Sequence, residues 1–112
     1  MSKLDPQHVR RQFAQAVNMT ASELAEWLET PESHVVGFKR PGSTESVGHA
    51  SGRRIVSILA KKAHEVTGDD IAHMRKVVGY VHRHRAQRPE NIYTSRWRYS
   101  LMNWGHDPTK EA

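Results

Sequence analysis

The sequence predicts an all-α domain, and three observations carry that prediction. Helix-start signals recur along the chain: Asp5-Pro6, Thr20 with Glu23, and Thr67 ahead of Asp69 and Asp70. Apolar residues behind each signal return at spacings of three and four, the period that lines one helical face. No stretch alternates apolar and polar residues over a strand's length, and nothing repeats internally. The 112 residues suffice for one domain with its own core, and a hydrophobic share of 37% makes that core modest. We expect a single helical domain over residues 1–112, with four to five helices.

The first helix opens at Asp5 as cap with Pro6 at the first helical position, where the missing N–H leaves no partner wanting. Val9, Phe13, Ala16 and Val17 give it an apolar face. The second starts at Thr20, which with Glu23 has the spacing of a capping box, worth about 1 kcal/mol. Leu24, Trp27 and Leu28 then share one side while Glu23, Glu26 and Glu29 lie away from it, and Pro31 is expected to end the helix at Thr30.

Residues 31–50 contain Gly37, Pro41 and Gly42, then the polar run GSTESVGHASG, and are predicted to be a long flexible loop. Ser51 is predicted to cap the third helix, with Ile55, Ile58 and Leu59 facing the core. Thr67 starts the fourth and longest. Its acidic first turn (Asp69, Asp70) suits the helix dipole, and Pro89 closes it. The fifth runs from Thr94 or Ser95 to a glycine cap at Gly105, with Trp97, Leu101 and Trp104 on one face as expected core. Residues 106–112 are predicted to form a tail.

Charge is concentrated in the middle of the chain. Eleven of the seventeen Lys and Arg residues lie between Arg53 and Arg98, among only four acids (Glu65, Asp69, Asp70, Glu90), a local net charge of +7. The segments on either side are each close to neutral. A one-signed field on a small domain attracts polyanions, and nucleic acid is the commonest soluble one.

On the fourth helix His73, Lys76, Tyr80 and Arg83 align opposite the apolar arc of Ile71, Met74, Val77, Val78 and Val81. Cations beside an aromatic hydroxyl suit phosphate contacts. The expected nucleic-acid-binding residues are therefore Arg53, Arg54, Lys61, Lys62, His73, Lys76, Tyr80, Arg83, Arg85, Arg88, Arg96 and Arg98. DNA is expected ahead of RNA, and duplex ahead of single strand, through phosphates with little base specificity. The alternative is a protein-interaction module or homodimer in which the acidic face of the second helix meets the basic surface.

Other chemistry finds little footing. There is no cysteine, hence no disulfide and no thiolate metal site. Among the eight histidines, His82 and His84 point about 200° apart on a helix, and no HExxH spacing occurs. His106-Asp107 has no nucleophile context, and no glycine-rich phosphate loop is present. The expectation is no catalysis, no cofactor and no metal. No apolar run reaches the ~20 residues of a membrane span, and MSKLDPQHV has no apolar signal segment. An intracellular protein is expected, cytoplasmic or DNA-associated, and nuclear in a eukaryote.

Four strings carry a family resemblance: VNMTASELAEWL (17–28), SGRRIVSIL (51–59), DDIAHMRKVVGYVHRH (69–84) and RWRYSLMNWGHDP (96–108). Covering roughly half of the chain, they resemble a family of small uncharacterised helical proteins from bacteria and fungi, often labelled only "DNA-binding protein". The chain departs where Gly68 follows Thr67, a position at which similar members would carry an acid. The resemblance implies an intracellular helical domain whose 31–50 segment varies in length, and it brings no functional residue set.

Overall fold

Each helix begins where a side chain takes up N–H groups that the first turn leaves without partners. In a computed structural model that describes residues 5–110, six α-helices form: α1 (Pro6–Ala16), α2 (Ala21–Leu28), α3 (Pro31–Val35), α4 (Val47–Leu59), α5 (Gly68–Arg85) and α6 (Arg96–Asn103). Short 3-10 turns follow at Ala63–Glu65 and Pro108–Lys110, and no strand occurs among the described residues. Asp5 accepts from the Gln7 N–H, Thr20 and Glu23 form a reciprocal capping box, and Thr67 and Asp70 form another. Gly105 leaves α6 with φ +83°, the left-handed geometry that ends a helix without Cβ strain. The fold class is all-α, as the periodicity predicts.

α1 packs along α5 and α2 along α4, while α6 touches α2, α3, α4 and α5 and so lies at the centre. Leu101 of α6 is fully buried, among Val9 and Phe13 of α1, Leu24 and Leu28 of α2, Ile55 of α4, and Val77 and Val81 of α5. These are the apolar arcs expected from spacing alone.

Three boundaries differ from expectation. α4 starts at Val47, and its cap is Ser46 through the His49 N–H, five residues before the predicted cap at Ser51. Two glycines near this helix start serve packing: a Cβ on Gly52 would lie 2.5 Å from the Asn103 carbonyl oxygen, and one on Gly48, within the predicted loop, 2.8 Å from Trp104 Nε1. Glycine at both positions lets α6 approach the α4 backbone.

Pro31 does end α2, yet it also opens α3 under the Thr30 cap, which reduces the predicted 31–50 loop to residues 36–46. That loop is pinned at its neck by the Val47 N–H on the Phe38 carbonyl (2.8 Å). At its tip the Ser43 N–H meets the Arg40 carbonyl across Pro41-Gly42. With Gly42 at φ +82°, this is the turn that proline followed by glycine favours. Finally, residues 106–108 of the expected tail are buried. His106 Nδ1 lies 2.7 Å from the Ala16 carbonyl, and the Asp107 N–H donates to Asn18 Oδ1 at 2.7 Å.

Candidate nucleic-acid interface

Helical spacing places His73, Lys76, Tyr80 and Arg83 on one side of α5, and packing decides what each does there. Trp104 comes up from the end of α6 and is only 5% exposed, so it is core, as expected. Tyr80 lies on it with ring centroids 4.3 Å apart and planes 15° from parallel. His73 stacks at 6.3 Å from Trp104, and His84 at 5.0 Å from Tyr80. The result is a column of four rings along α5, with the indole between His73 and Tyr80.

This column alters two expected roles. Burial, reinforced by Arg54 and Lys76 and opposed by Asp70, lowers the His73 pKa below its ordinary value, which favours the neutral ring. Its Nε2 pairs with Ser51 Oγ at 2.8 Å. Burial also raises the Tyr80 pKa, and its hydroxyl is hydrogen-bonded with Ser100. Both residues shape the surface through their rings.

Several expected phosphate contacts are already committed to carboxylates. Arg53 turns toward α2 and grips Glu45 at 2.6 and 2.8 Å, which holds the Glu45 carboxyl at about 2. Lys61 donates to Asp70 at 2.6 Å, and Arg54 approaches the other oxygen of Asp70 at 3.5 Å. Arg98 pairs bidentately with Asp107 at 3.2 Å and donates to the Tyr93 carbonyl. Arg96 donates to the Val35 carbonyl at 3.0 Å, and Arg88 lies 5.9 Å over the Trp97 ring. Three of the expected contacts, Arg53, Lys61 and Arg98, thus have carboxylates beside them that partly neutralise their charge. Lys62, Arg83 and Arg85 are exposed, and so is Arg53 despite its ion pair.

Asp70 is the sharpest case. It is buried, it closes the α5 capping box by accepting from the Thr67 N–H, and it carries two cations. The Lys61 ammonium and then the Thr67 N–H hold its carboxyl far below the ordinary range. A depressed folded pKa contributes stability that is complete above the unfolded value, about 3.9, and is lost as pH falls through the folded one. Asp70→Asn is accordingly expected to cost about 2 kcal/mol at pH 7. The deficit should shrink below about pH 4 in urea titrations read by circular dichroism.

What the structure does bring together is smaller and concave. A hollow of about 230 Å³ is lined by Arg40, Ser51, Arg54, His73, Lys76 and Trp104, drawn from the 36–46 loop, α4, α5 and α6. Neither Arg40 nor Lys76 has a side-chain hydrogen bond or ion pair among the described residues. Arg54 is held by one long contact. Three cations thus converge on one depression with His73 at its wall, a geometry that suits a phosphate. Arg40 was not among the sequence candidates; its only signal was a Lys39-Arg40 pair before a Pro-Gly turn.

No helix among the described residues is long and apolar enough to cross a membrane. No curated protein and no solved structure matches the chain. A family model described as "Protein of unknown function (DUF3140)" matches residues 12–102, which span α2 through α5, the second half of α1 and nearly all of α6, and the chain belongs to that family.

Proposed function

We propose that the chain is a non-catalytic nucleic-acid-binding domain that holds duplex DNA mainly through phosphates, inside the cell. The convergence of Arg40, Arg54 and Lys76 on one hollow carries this reading. Arg83, one helical turn beyond Tyr80 and exposed, extends the field along α5. Contacts of this kind go to phosphates, so affinity should be nearly independent of sequence.

The test is charge reversal. The double variant Arg40→Glu and Lys76→Glu is expected to weaken binding to every duplex sequence alike, by about tenfold or more at low salt. Both residues are exposed and outside the core, so the fold should persist by circular dichroism. Undiminished affinity would remove the hollow from the reading.

The rival is a homodimer pairing the acidic side of α2 with the basic surface. Glu26 and Glu29 are exposed, whereas Glu23 is already engaged by Lys110 at 2.6 Å and by the Thr20 N–H. A dimer that dissociates with salt in light scattering, together with no shift of DNA, would favour that rival.

A further inference from the structure

A second hollow adjoins the cationic one and differs from it in chemistry. Its volume is about 340 Å³, at the small end of the range for small-molecule sites. Phe38, Gly48, Tyr80, Ser100 and Trp104 line it, and it shares Arg40, Val47 and Trp104 with its neighbour. One depression is therefore ringed by cations, the next is walled by aromatic and apolar surface, and Arg40 stands between them.

Phe38 is the informative residue. It is 69% exposed at the mouth of the apolar hollow, and its ring stacks on no other ring among the described residues. The loop that carries it is fixed at both ends. Val36 is buried, the Phe38 carbonyl accepts from the Val47 N–H, and Gly37 at φ +91° sets the chain against Ser46. The ring is thus held in water by a built loop.

We propose that these adjoining hollows receive one unpaired nucleotide of a nucleic-acid strand. Its base enters the aromatic side against the exposed ring of Phe38 and the edge of Tyr80, whose faces Trp104 and His84 already cover, and its phosphate meets Arg40, Arg54 and Lys76. This rests on the nucleic-acid reading above and deepens it. A base in an intact duplex has both faces covered by its neighbours and must first be unstacked, whereas a bulged or gapped site offers it at little cost. The occupant is a residue of a polymer because Arg83 continues the charge along α5, beyond the reach of a single phosphate.

The experiment compares an intact labelled duplex with the same duplex carrying one bulged nucleotide, by fluorescence anisotropy at one fixed salt concentration. The bulged form is expected to bind about tenfold more tightly, and Phe38→Ala to reduce that preference to about threefold or less. Tyr93→Ala serves as control: Tyr93 is 65% exposed but lines neither hollow, and its removal should leave the preference intact. Equal affinity for the two duplexes overturns the inference while leaving phosphate binding standing. So does a preference that Phe38→Ala spares, or one that Tyr93→Ala lowers as much. Binding to neither duplex removes both readings, and displacement of the bulged duplex by a free mononucleoside monophosphate at matched concentration overturns the polymer assignment.

Discussion

Replacing Gly52 with alanine is expected to destabilise the domain by about 3 kcal/mol or more, although alanine is the better helix former by about 1 kcal/mol. The added Cβ would sit 2.5 Å from the Asn103 carbonyl oxygen and 2.7 Å from a methyl of Leu28. Leu28 can shift, but the main chain of α6 cannot, because α6 is packed against α2, α3, α4 and α5. Separation of α4 from α6 would open the centre of the core around Ile55 and Leu101, both fully buried. Thermal melts should show a fall of about 10 °C or more. Gly68→Ala supplies the opposite sign: nothing lies within 4 Å of the new Cβ, and stability should rise by about 0.5 kcal/mol. Equal effects at the two positions would mean that close packing is not what glycine provides at Gly52.

The second large effect belongs to Asn103, a side chain of α6 that is 1% exposed. Its Oδ1 accepts from Trp27 Nε1 at 2.7 Å and from Ser33 Oγ at 2.6 Å, and its Nδ2 donates to the Ser33 carbonyl at 3.0 Å. The amide orientation follows from chemistry, since indole N–H only donates and a main-chain carbonyl only accepts. One amide therefore ties α2, α3 and α6 together. Asn103→Leu keeps the volume but orphans polar atoms of Trp27 and Ser33, the latter fully buried, at a cost of about 4 kcal/mol. Adding Ser33→Ala removes one orphan and should recover about 1 kcal/mol in a double-mutant cycle read by urea denaturation. Strict additivity of the two losses would argue against the network.

These two sites mark where local reading stops. Caps were legible because a cap is a local event: Thr20 with Glu23, and Thr67 with Asp70, need only residues three apart. The core arcs of α1 and α5 were legible because period alone puts Val9 with Phe13, and Met74 with Val77, Val78 and Val81, on one side. Gly48 was read as loop and Gly52 as an ordinary first-turn position, and the reason for glycine at both, α6 lying against them, is about fifty residues away. Asn103 carries no local signal for the same reason, its partners being contributed by α2 and α3.

The charge pattern shows the same division. Counting cations found the excess, but it could not find which carboxylates the fold would bring beside them. Glu45 reaches Arg53 across the loop junction, Asp70 reaches back to Lys61 across a 3-10 turn, and Asp107 folds under Arg98. Each pair is eight or nine residues apart, outside the helical spacings that sequence inspection tests. The cations without carboxylate partners that share a surface, Arg40 and Lys76, come from a loop and a helix, and only the fold joins them.

That depression is the centre of the functional reading, and its electrostatics have a direct observable. Binding of a generic DNA duplex, followed by anisotropy across a range of salt concentrations, should give log K against log salt a slope of about −3, as three or four released counterions require. No detectable complex at low salt, or an affinity indifferent to salt, would contradict the account.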